Sequence, residues 1–295
     1  MADMALPKVS IVIPSYKPAH FEQCLRSAIG QTYLNTEILV SDNCPTNEIR
    51  DICSRFPMVI YQRNSAVRVE NVLSSLFGAK GVYIKPLFDD DLLHPFAIER
   101  MVTAMELSPE IELVFSRSAE INAANARRSD RRPFDQNGMM SGRDMIRMIS
   151  LSFKNIIGEF TTIMFRRDRL WKLGSNHIVT YGNKNFLRGL VDVAFYFALI
   201  RDASAYYIDE ELSYFRLDMS TGSNSNAAAN PDFGFVAADW IDLLIEGLRQ
   251  HYLTPQELIG AKNLVDHFVA SFGVFPEMRE AEANYRQLCA SLMSA

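Results

Sequence analysis

VSIVIPSYKPAHFEQCLRSAIGQT, residues 9 to 32, is the stretch that decides the fold. Its first six residues form a short β-branched apolar run closed by Pro14, the pattern of a buried strand. The segment HFEQCLRSAIGQT then places Phe21, Leu25 and Ile29 at fourfold spacing, one face of a helix. The same alternation continues along the chain. EILVSDN (37–43) reads as a strand, NEIRDICSRF as a helix, MVIYQRN as a strand and VRVENVLSSLFGAK as a helix. GVYIKPLF then reads as a strand, DLLHPFAIERMVTAM as a helix and IELVFSRS as a strand. The predicted class is therefore α/β, a mostly parallel sheet covered by helices on both faces. Ligands of such sheets bind beyond the carboxyl ends of the strands. Ser15, Tyr16, Asp42, Asn43 and the run Asp89, Asp90, Asp91 are thereby expected at one crevice.

Composition sets the outer bounds. At 295 residues, 48% hydrophobic, the chain can bury a sizeable core as one large domain or two small ones. A net charge of -5 and a pI near 5.6 offer no basic field for duplex nucleic acid. No continuous apolar stretch approaches the length of a membrane span, and MADMALPK lacks the apolar centre of a signal peptide, so the expected location is the cytoplasm. Cys24, Cys44, Cys53 and Cys289 show no CxxC spacing and are expected as free thiols.

KPLFDDDLLHP (85–95) asks for a cation, because three consecutive carboxylates repel one another unless something positive sits among them. The chain has no GxGxxG and no GxxxxGK[ST], so neither glycine-rich phosphate cradle is present. Phosphate must be neutralised another way. A hard divalent ion, Mn2+ or Mg2+, held by carboxylate oxygens and bridging a diphosphate does this.

These pieces together carry a resemblance. VSIVIPSYKP, RSAIGQTY, EILVSDN and GVYIKPLFDDDLLHP, followed in order by TTIMFRRDRLWKLG (161–174), VDVAFYFALI (191–200) and YIDEELSYFRLDMSTGS (207–223), resemble the family 2 glycosyltransferases of the GT-A fold. The resemblance implies a sugar transferred with inversion from a nucleoside-diphosphate sugar, a UDP- or dTDP-sugar, to a glycan or lipid-linked hydroxyl in bacterial cell-surface polysaccharide synthesis. It implies donor contacts at Ser15 and Tyr16, a base-reading Asp42, and Arg68 and Lys85 along the base and phosphates. Asp90 matches the family's metal-binding aspartate. Phe88 stands where many members have the first aspartate of the DxD motif, which hands the ribose contact to Asp89 and makes Asp91 a further metal partner or a support behind it. Arg216 matches an arginine that closes over the diphosphate. Asp218 stands near the place of the family's histidine; it would reach the metal, or the loop would bind through Ser220, Thr221 and backbone amides instead. Asp192 matches the acceptor-side aspartate and is the candidate general base, with a helix N-cap as its plainer role.

The implied division is 1–122 for the nucleotide-sugar half, 123–230 for the acceptor half and 231–295 for a helical C-terminal extension. In the extension, Phe233, Val236, Trp240, Leu244 and Leu248 mark one apolar stripe; Thr254, Pro255 and Glu257 a capping box; Met278, Ala281, Tyr285, Leu288 and Leu292 another stripe. These faces are expected against the transferase domain, with a homodimer or a peripheral membrane assembly at the inner face as alternatives. ARRSDRR (126–132) reads as a solvated connecting loop, and AFYFALI as core. Of the histidines, His94 lies nearest the acidic run. The polar stretch STGSNSNAAAN reads as a lid. Two other classes share the crevice: a sugar nucleotidyltransferase, whose glycine-rich basic loop SYKPAH lacks, and a non-catalytic sugar-nucleotide-binding protein.

Overall fold

In the computed structural model of the chain, which describes residues 6–217 and 230–294, the opening stretch forms strand β1 (Val9–Ser15), every residue of it buried, and helix α1 (Phe21–Ile29). Next come β2 (Thr36–Asp42), α2 (Glu48–Cys53), β3 (Val59–Arg63), α3 (Val69–Gly78), β4 (Tyr83–Pro86), β5 (Leu92–Leu93), α4 (Ala97–Met105) and β6 (Ile111–Ile121). The chain goes on through β7 (Arg127–Arg131), β8 (Gly138–Ser141), α5 (Gly142–Ser152), a 3-10 turn (Phe160–Thr162), β9 (Ile163–Arg166), α6 (Arg167–Leu173), β10 (Thr180–Tyr181) and β11 (Lys184–Asn185). It ends with α7 (Val191–Ile200), β12 (Ser204–Arg216), α8 (Phe233–Arg249), α9 (Pro255–Gly260), α10 (Lys262–Phe272) and α11 (Pro276–Ser294).

Two compact units divide these elements. One takes Met1–Met140, Ile157–Ser175 and Ala203–Leu217; the other takes Ser141–Ile156, Asn176–Asp202 and Asp218–Ala295. In the first, the sheet runs β3-β2-β1-β4-β9-β6-β12-β5. β1 lies parallel to β2 on one side (Ile11 beside Ile38) and to β4 on the other (Ile11 beside Lys85), and β2 is parallel to β3. β6 and β12 are also parallel, while β9 runs antiparallel between β4 and β6. A strand flanked on both sides and covered on both faces is mostly apolar, which is why VSIVI does not alternate; its one polar residue, Ser10, is buried with its hydroxyl donating to Glu37 and accepting the Gly81 N–H. The order 3-2-1-4 reverses direction between β1 and β4. That reversal is the switch point at which α/β sheets open a crevice. Helix α1 covers the sheet with Phe21, Cys24, Leu25 and Ala28, Ile29 being only half-buried.

Two readings from sequence change. DLLHPFAIERMVTAM is not one helix: Leu92–Leu93 pair antiparallel with Ser213 and Tyr214 of β12, and the helix starts at Ala97. Pro95 disfavours helical backbone at His94, whose N–H instead reaches the Leu212 carbonyl at 3.0 Å while its Nδ1 accepts the Phe96 N–H at 3.3 Å. The basic segment is strand β7 rather than a loop, antiparallel to β6. Three of its four arginines are paired, Arg127 with Glu211 at 2.8 Å, Arg131 with Glu120 at 3.1 Å, and Arg132 with Asp209 at 2.5 Å.

In the second unit, α7 is buried on all sides from Val193 to Ile200, so AFYFALI is core. The capping box at Thr254 and Glu257 is formed with both of its hydrogen bonds. α8 buries far more than one stripe: every residue from Ala237 to Gly247 is buried, Asp239, Asp242 and Glu246 included. On α11 the buried face is Met278, Ala281, Tyr285 and Cys289. No helix among the described residues is long and apolar enough to cross a membrane.

Candidate active site

The acidic run follows β4 and meets the loop that follows β1, at the switch point. Asp89 Oδ2 accepts the backbone N–H groups of Tyr16 at 2.6 Å and Lys17 at 2.7 Å. One carboxylate oxygen thereby ties the two strand ends together. Burial, then the charge of Asp90, pushes the Asp89 carboxyl up to about 6 against the pull of those two amides. The ribose contact expected of Asp89 competes with this tie, since Oδ2 is already occupied.

Asp91 also points inward and is fully buried. Its Oδ2 accepts the Thr161 hydroxyl and its Oδ1 the Arg216 backbone N–H at 2.8 Å. Burial, reinforced by Asp90, holds its carboxyl well above the usual range. Both oxygens of Asp91, expected as a metal partner or a support behind one, are taken by protein partners. Lys85 corrects a second expectation. It is fully buried, with Nζ donating to the carbonyls of Pro86, at 3.0 Å, and Thr161. β4 is buried on both faces, and this burial lowers the Lys85 pKa to about 7 despite the opposing charge of Asp91. Lys85 does not reach the phosphates. Arg216 ends β12 and is likewise buried, its Nε donating to the Asp90 carbonyl at 2.7 Å and Nη1 to the Asn122 carbonyl at 2.7 Å. Expected over the diphosphate, it clasps the acidic loop from beneath.

That leaves Asp90, whose side chain is 15% exposed and lies 3.5 Å from Lys17 Nζ. Consecutive residues thus point in, out and in. Among the described residues no group of three or more His, Cys, Asp or Glu is gathered as a ready metal cage. The donor set would suit a hard cation held by the single carboxylate of Asp90, since Mg2+ is commonly bound through only one or two carboxylates.

Of the other expected donor residues, Ser15 is buried with its hydroxyl on the Ile13 carbonyl at 3.1 Å. Tyr16 is 57% exposed, its amide fixed by Asp89 and its ring outward. Asp42 is fully buried: Oδ1 accepts the Cys44 N–H at 2.8 Å, and Oδ2 accepts the Tyr61 hydroxyl at 2.7 Å and Arg63 Nη1 at 2.8 Å. A base could be read here only beside Asp42, through groups that it holds. Next to it Asn71 binds the Ser41 hydroxyl at 2.8 Å and the Asn43 side chain at 3.0 Å, and Asn64 joins both Ser41 and Asn71. This network fixes the loop leading to Arg68, which is exposed and sits at φ 51° just ahead of α3. A non-glycine residue in that region stores backbone strain of the kind found at ligand loops.

Thr161, Lys17, Arg63 and Asn71 were missed in the sequence. Thr161 and Lys17 lie inside the quoted motifs TTIMF and SYKP; nothing in the sequence marks Arg63 or Asn71. Asp218, Ser220, Thr221 and the expected lid lie outside the described residues.

Asp192 belongs to the second unit. Leu190, not Asp192, occupies the N-cap of α7, so the capping role moves two residues away. Asp192 stands in the first turn, half-buried, its Oδ2 accepting from Asn155 Nδ2 at 2.8 Å and its Oδ1 from the Val193 N–H at 2.9 Å.

With this geometry in hand, the comparisons with known proteins are specific. The sequence pattern described as "Glycosyl transferase family 2" matches residues 10–174, more than half of the chain. An uncharacterised glycosyltransferase of Haemophilus influenzae is 24% identical over 256 residues, 84% of this chain and 78% of that protein. The chondroitin synthase of Pasteurella multocida is 27% identical over 129 residues, 40% of this chain but only 13% of the synthase. An uncharacterised protein of Sinorhizobium fredii is likewise matched over only 13% of its length. Among solved structures, S. aureus TarS 1-349 in complex with UDP-GlcNAc has a TM-score of 0.62 and 14% identity, with 97% of this chain and 92% of that one covered. At that identity the likeness is one of fold, and the fold is GT-A.

Proposed function

The chain belongs to glycosyl transferase family 2, and on that premise we propose that it transfers a sugar, with inversion, from a UDP- or dTDP-sugar to a hydroxyl on a glycan or lipid-linked acceptor in bacterial cell-surface polysaccharide synthesis. The observation that carries the donor half is the arrangement at the switch point: Asp89 and Asp91 turned inward onto protein partners, and Asp90 turned outward beside Lys17. Three inward carboxylates would be scaffolding only. One turned outward, next to an ammonium group, suits the diphosphate side of a nucleotide.

Asp90 would hold Mn2+ or Mg2+. When bound, that ion supplies Lewis-acid stabilisation of the departing diphosphate. The chain's own residues do the rest: Tyr16 offers an aromatic face for the base, Lys17 and Arg68 offer cationic groups, and Asp89 fixes the loop that carries Tyr16 and Lys17. Asp192 is the proposed general base that takes the proton of the incoming hydroxyl, oriented by the Asn155 amide. The relatives favour this reading, since a chondroitin synthase and a glycosyltransferase are among them.

Calorimetric titration with UDP, dTDP, GDP and CMP, each with and without Mn2+, tests it. A uridine or thymidine diphosphate should bind only with Mn2+, and Asp90→Ala should remove that binding. Binding indifferent to both the ion and the substitution would sink the donor half of the proposal.

A further inference from the structure

Asp192 lies two residues past Leu190, the N-cap of α7, so its place depends on what holds the segment 183–190. α8 and the residue just ahead of it hold that segment with four carboxylates. The Asn183 N–H donates to Glu246 Oε2 at 3.0 Å, and Lys184 Nζ pairs with Asp242 at 2.6 Å. Arg188 pairs with Asp232 at 2.6 Å while lying 3.8 Å from the centre of the Phe235 ring. Last, the Leu190 N–H donates to Asp239 Oδ2 at 2.8 Å. Asp239, Asp242 and Glu246 are spaced three and four residues apart, which puts them on one helical face.

Two glycines let the segment lie this close. A methyl group at Gly182 would strike the Glu246 carboxylate, and one at Gly189 would strike both the Asp239 carboxylate and the Phe235 carbonyl. Asp239 is the member with the most specific task. It is 2% exposed, and a carboxyl so placed is expensive compared with a well-packed apolar side chain. Its bond goes to the N-cap residue itself. That amide opens the helix whose first turn carries Asp192, and Asn155 holds Asp192 from α5's side of the same unit.

We propose that Asp239 is a positioning residue for Asp192: by fixing the Leu190 amide it sets where α7 begins and hence where the proposed base is presented. The inference rests on the reading of Asp192 as the base, and the test separates the two.

The full chain is assayed with Mn2+ for release of UDP from UDP-GlcNAc, UDP-glucose and UDP-galactose as donor probes, in parallel with backbone hydrogen exchange. The variants are Asp192→Asn, Asp239→Ala, Asp239→Asn and the Asp192→Asn, Asp239→Ala double. Misplacing a reacting group by about 1 Å costs on the order of 100-fold, so Asp239→Ala should lower kcat by about that factor and leave the donor KM unchanged. Asp239→Asn should restore most of the rate, because its amide oxygen still accepts from Leu190. In the Asp192→Asn background, Asp239→Ala should cost nothing further.

Additive losses, or a change in KM alone, overturn the proposal. If Asp192→Asn keeps full kcat, the base reading falls first and the positioning role falls with it. The exchange arm decides without turnover: peptides over 183–192 should lose protection in Asp239→Ala and keep it in Asp239→Asn, with those over 85–93 unchanged. Equal protection of 183–192 in all variants also overturns it.

Discussion

Asp89, Asp90 and Asp91 follow one another along a loop, whereas Asp239, Asp242 and Glu246 are spread over two turns of one helix face, and the two trios end up with opposite characters. On the loop, successive side chains point to different sides. Two carboxylates find amides and a hydroxyl within the fold, and the third does not share their pocket. On α8 all three point the same way and all three are taken by the segment 183–190. Crowded charge alone therefore does not mark a ligand site. What marks it is the carboxylate that the backbone amides and hydroxyls leave to a half-exposed lysine, Asp90 beside Lys17 at 3.5 Å.

The largest effects should fall on that leftover group. Asp90→Ala should weaken Mn2+-dependent nucleoside diphosphate binding by roughly 100-fold or more, the scale of losing a metal's protein support, and leave the denaturation midpoint in place. Asp91→Ala should do the reverse first. It strands the Thr161 hydroxyl and the Arg216 amide in the interior, at about 2–3 kcal/mol of stability. Paired calorimetry and urea titrations read both numbers. If the two variants behave alike, the distinction between outward and inward carboxylates is wrong.

On α8 the comparison breaks at the cation. Lys184→Met leaves Asp242 buried without its 2.6 Å partner. Breaking a fully buried pair costs about 3–5 kcal/mol; with Lys184 itself 40% exposed, about 2 kcal/mol is the expected loss. Adding Asp242→Leu should recover most of it, because the stranded charge goes. No recovery would mean that the segment, not the pair, was lost.

How far the sequence reached follows the same division. β1 to β4 and the switch point were legible because continuous apolar strands and helical spacing are local patterns. The direction of each aspartate was not, since it is set by Thr161 and Arg216, 70 and 125 residues away from Asp91. Lys85 was assigned to the base and phosphates by the family resemblance, while a strand buried on both faces keeps it in the core. α8 looked amphipathic because its acids counted as a wet face. Their partners, Asn183, Lys184 and Leu190, sit far earlier in the chain and in no motif, 63 residues apart for Asn183 and Glu246 and 49 for Leu190 and Asp239.

Asp239 gives the trio on α8 a pH signature. Burial raises its carboxyl to about 7, above the ordinary value near 4 that it would have in the unfolded chain. Between those two values the folded form keeps a proton that the unfolded form has lost, so stability falls as pH rises from about 4 and levels off above about 7. Asp239→Asn has no such proton. Urea midpoints at pH 5, 6.5 and 8 should show the wild type losing ground to Asp239→Asn with each step up to about 7. A constant gap would mean that Asp239 is ionised throughout and that Lys184 compensates it.

The smallest effect sharpens the loop side. Tyr16 has its amide fixed by Asp89 while the residue is 57% exposed, so backbone and side chain have separable tasks. Stacking a base on an aromatic ring contributes about 1–3 kcal/mol. The ring lies at the edge of the crevice rather than enclosed by it, so the low end applies, a loss of about tenfold in nucleotide affinity for Tyr16→Ala. The amide remains in the variant, and with it the tie to Asp89. Metal dependence and the denaturation midpoint should therefore stay as in the wild type, and Tyr16→Phe should bind like the wild type because stacking needs only the ring. A loss of Mn2+ dependence in Tyr16→Ala would show that ring and acidic loop are one device, and the division of labour between Asp89 and Asp90 would have to be redrawn.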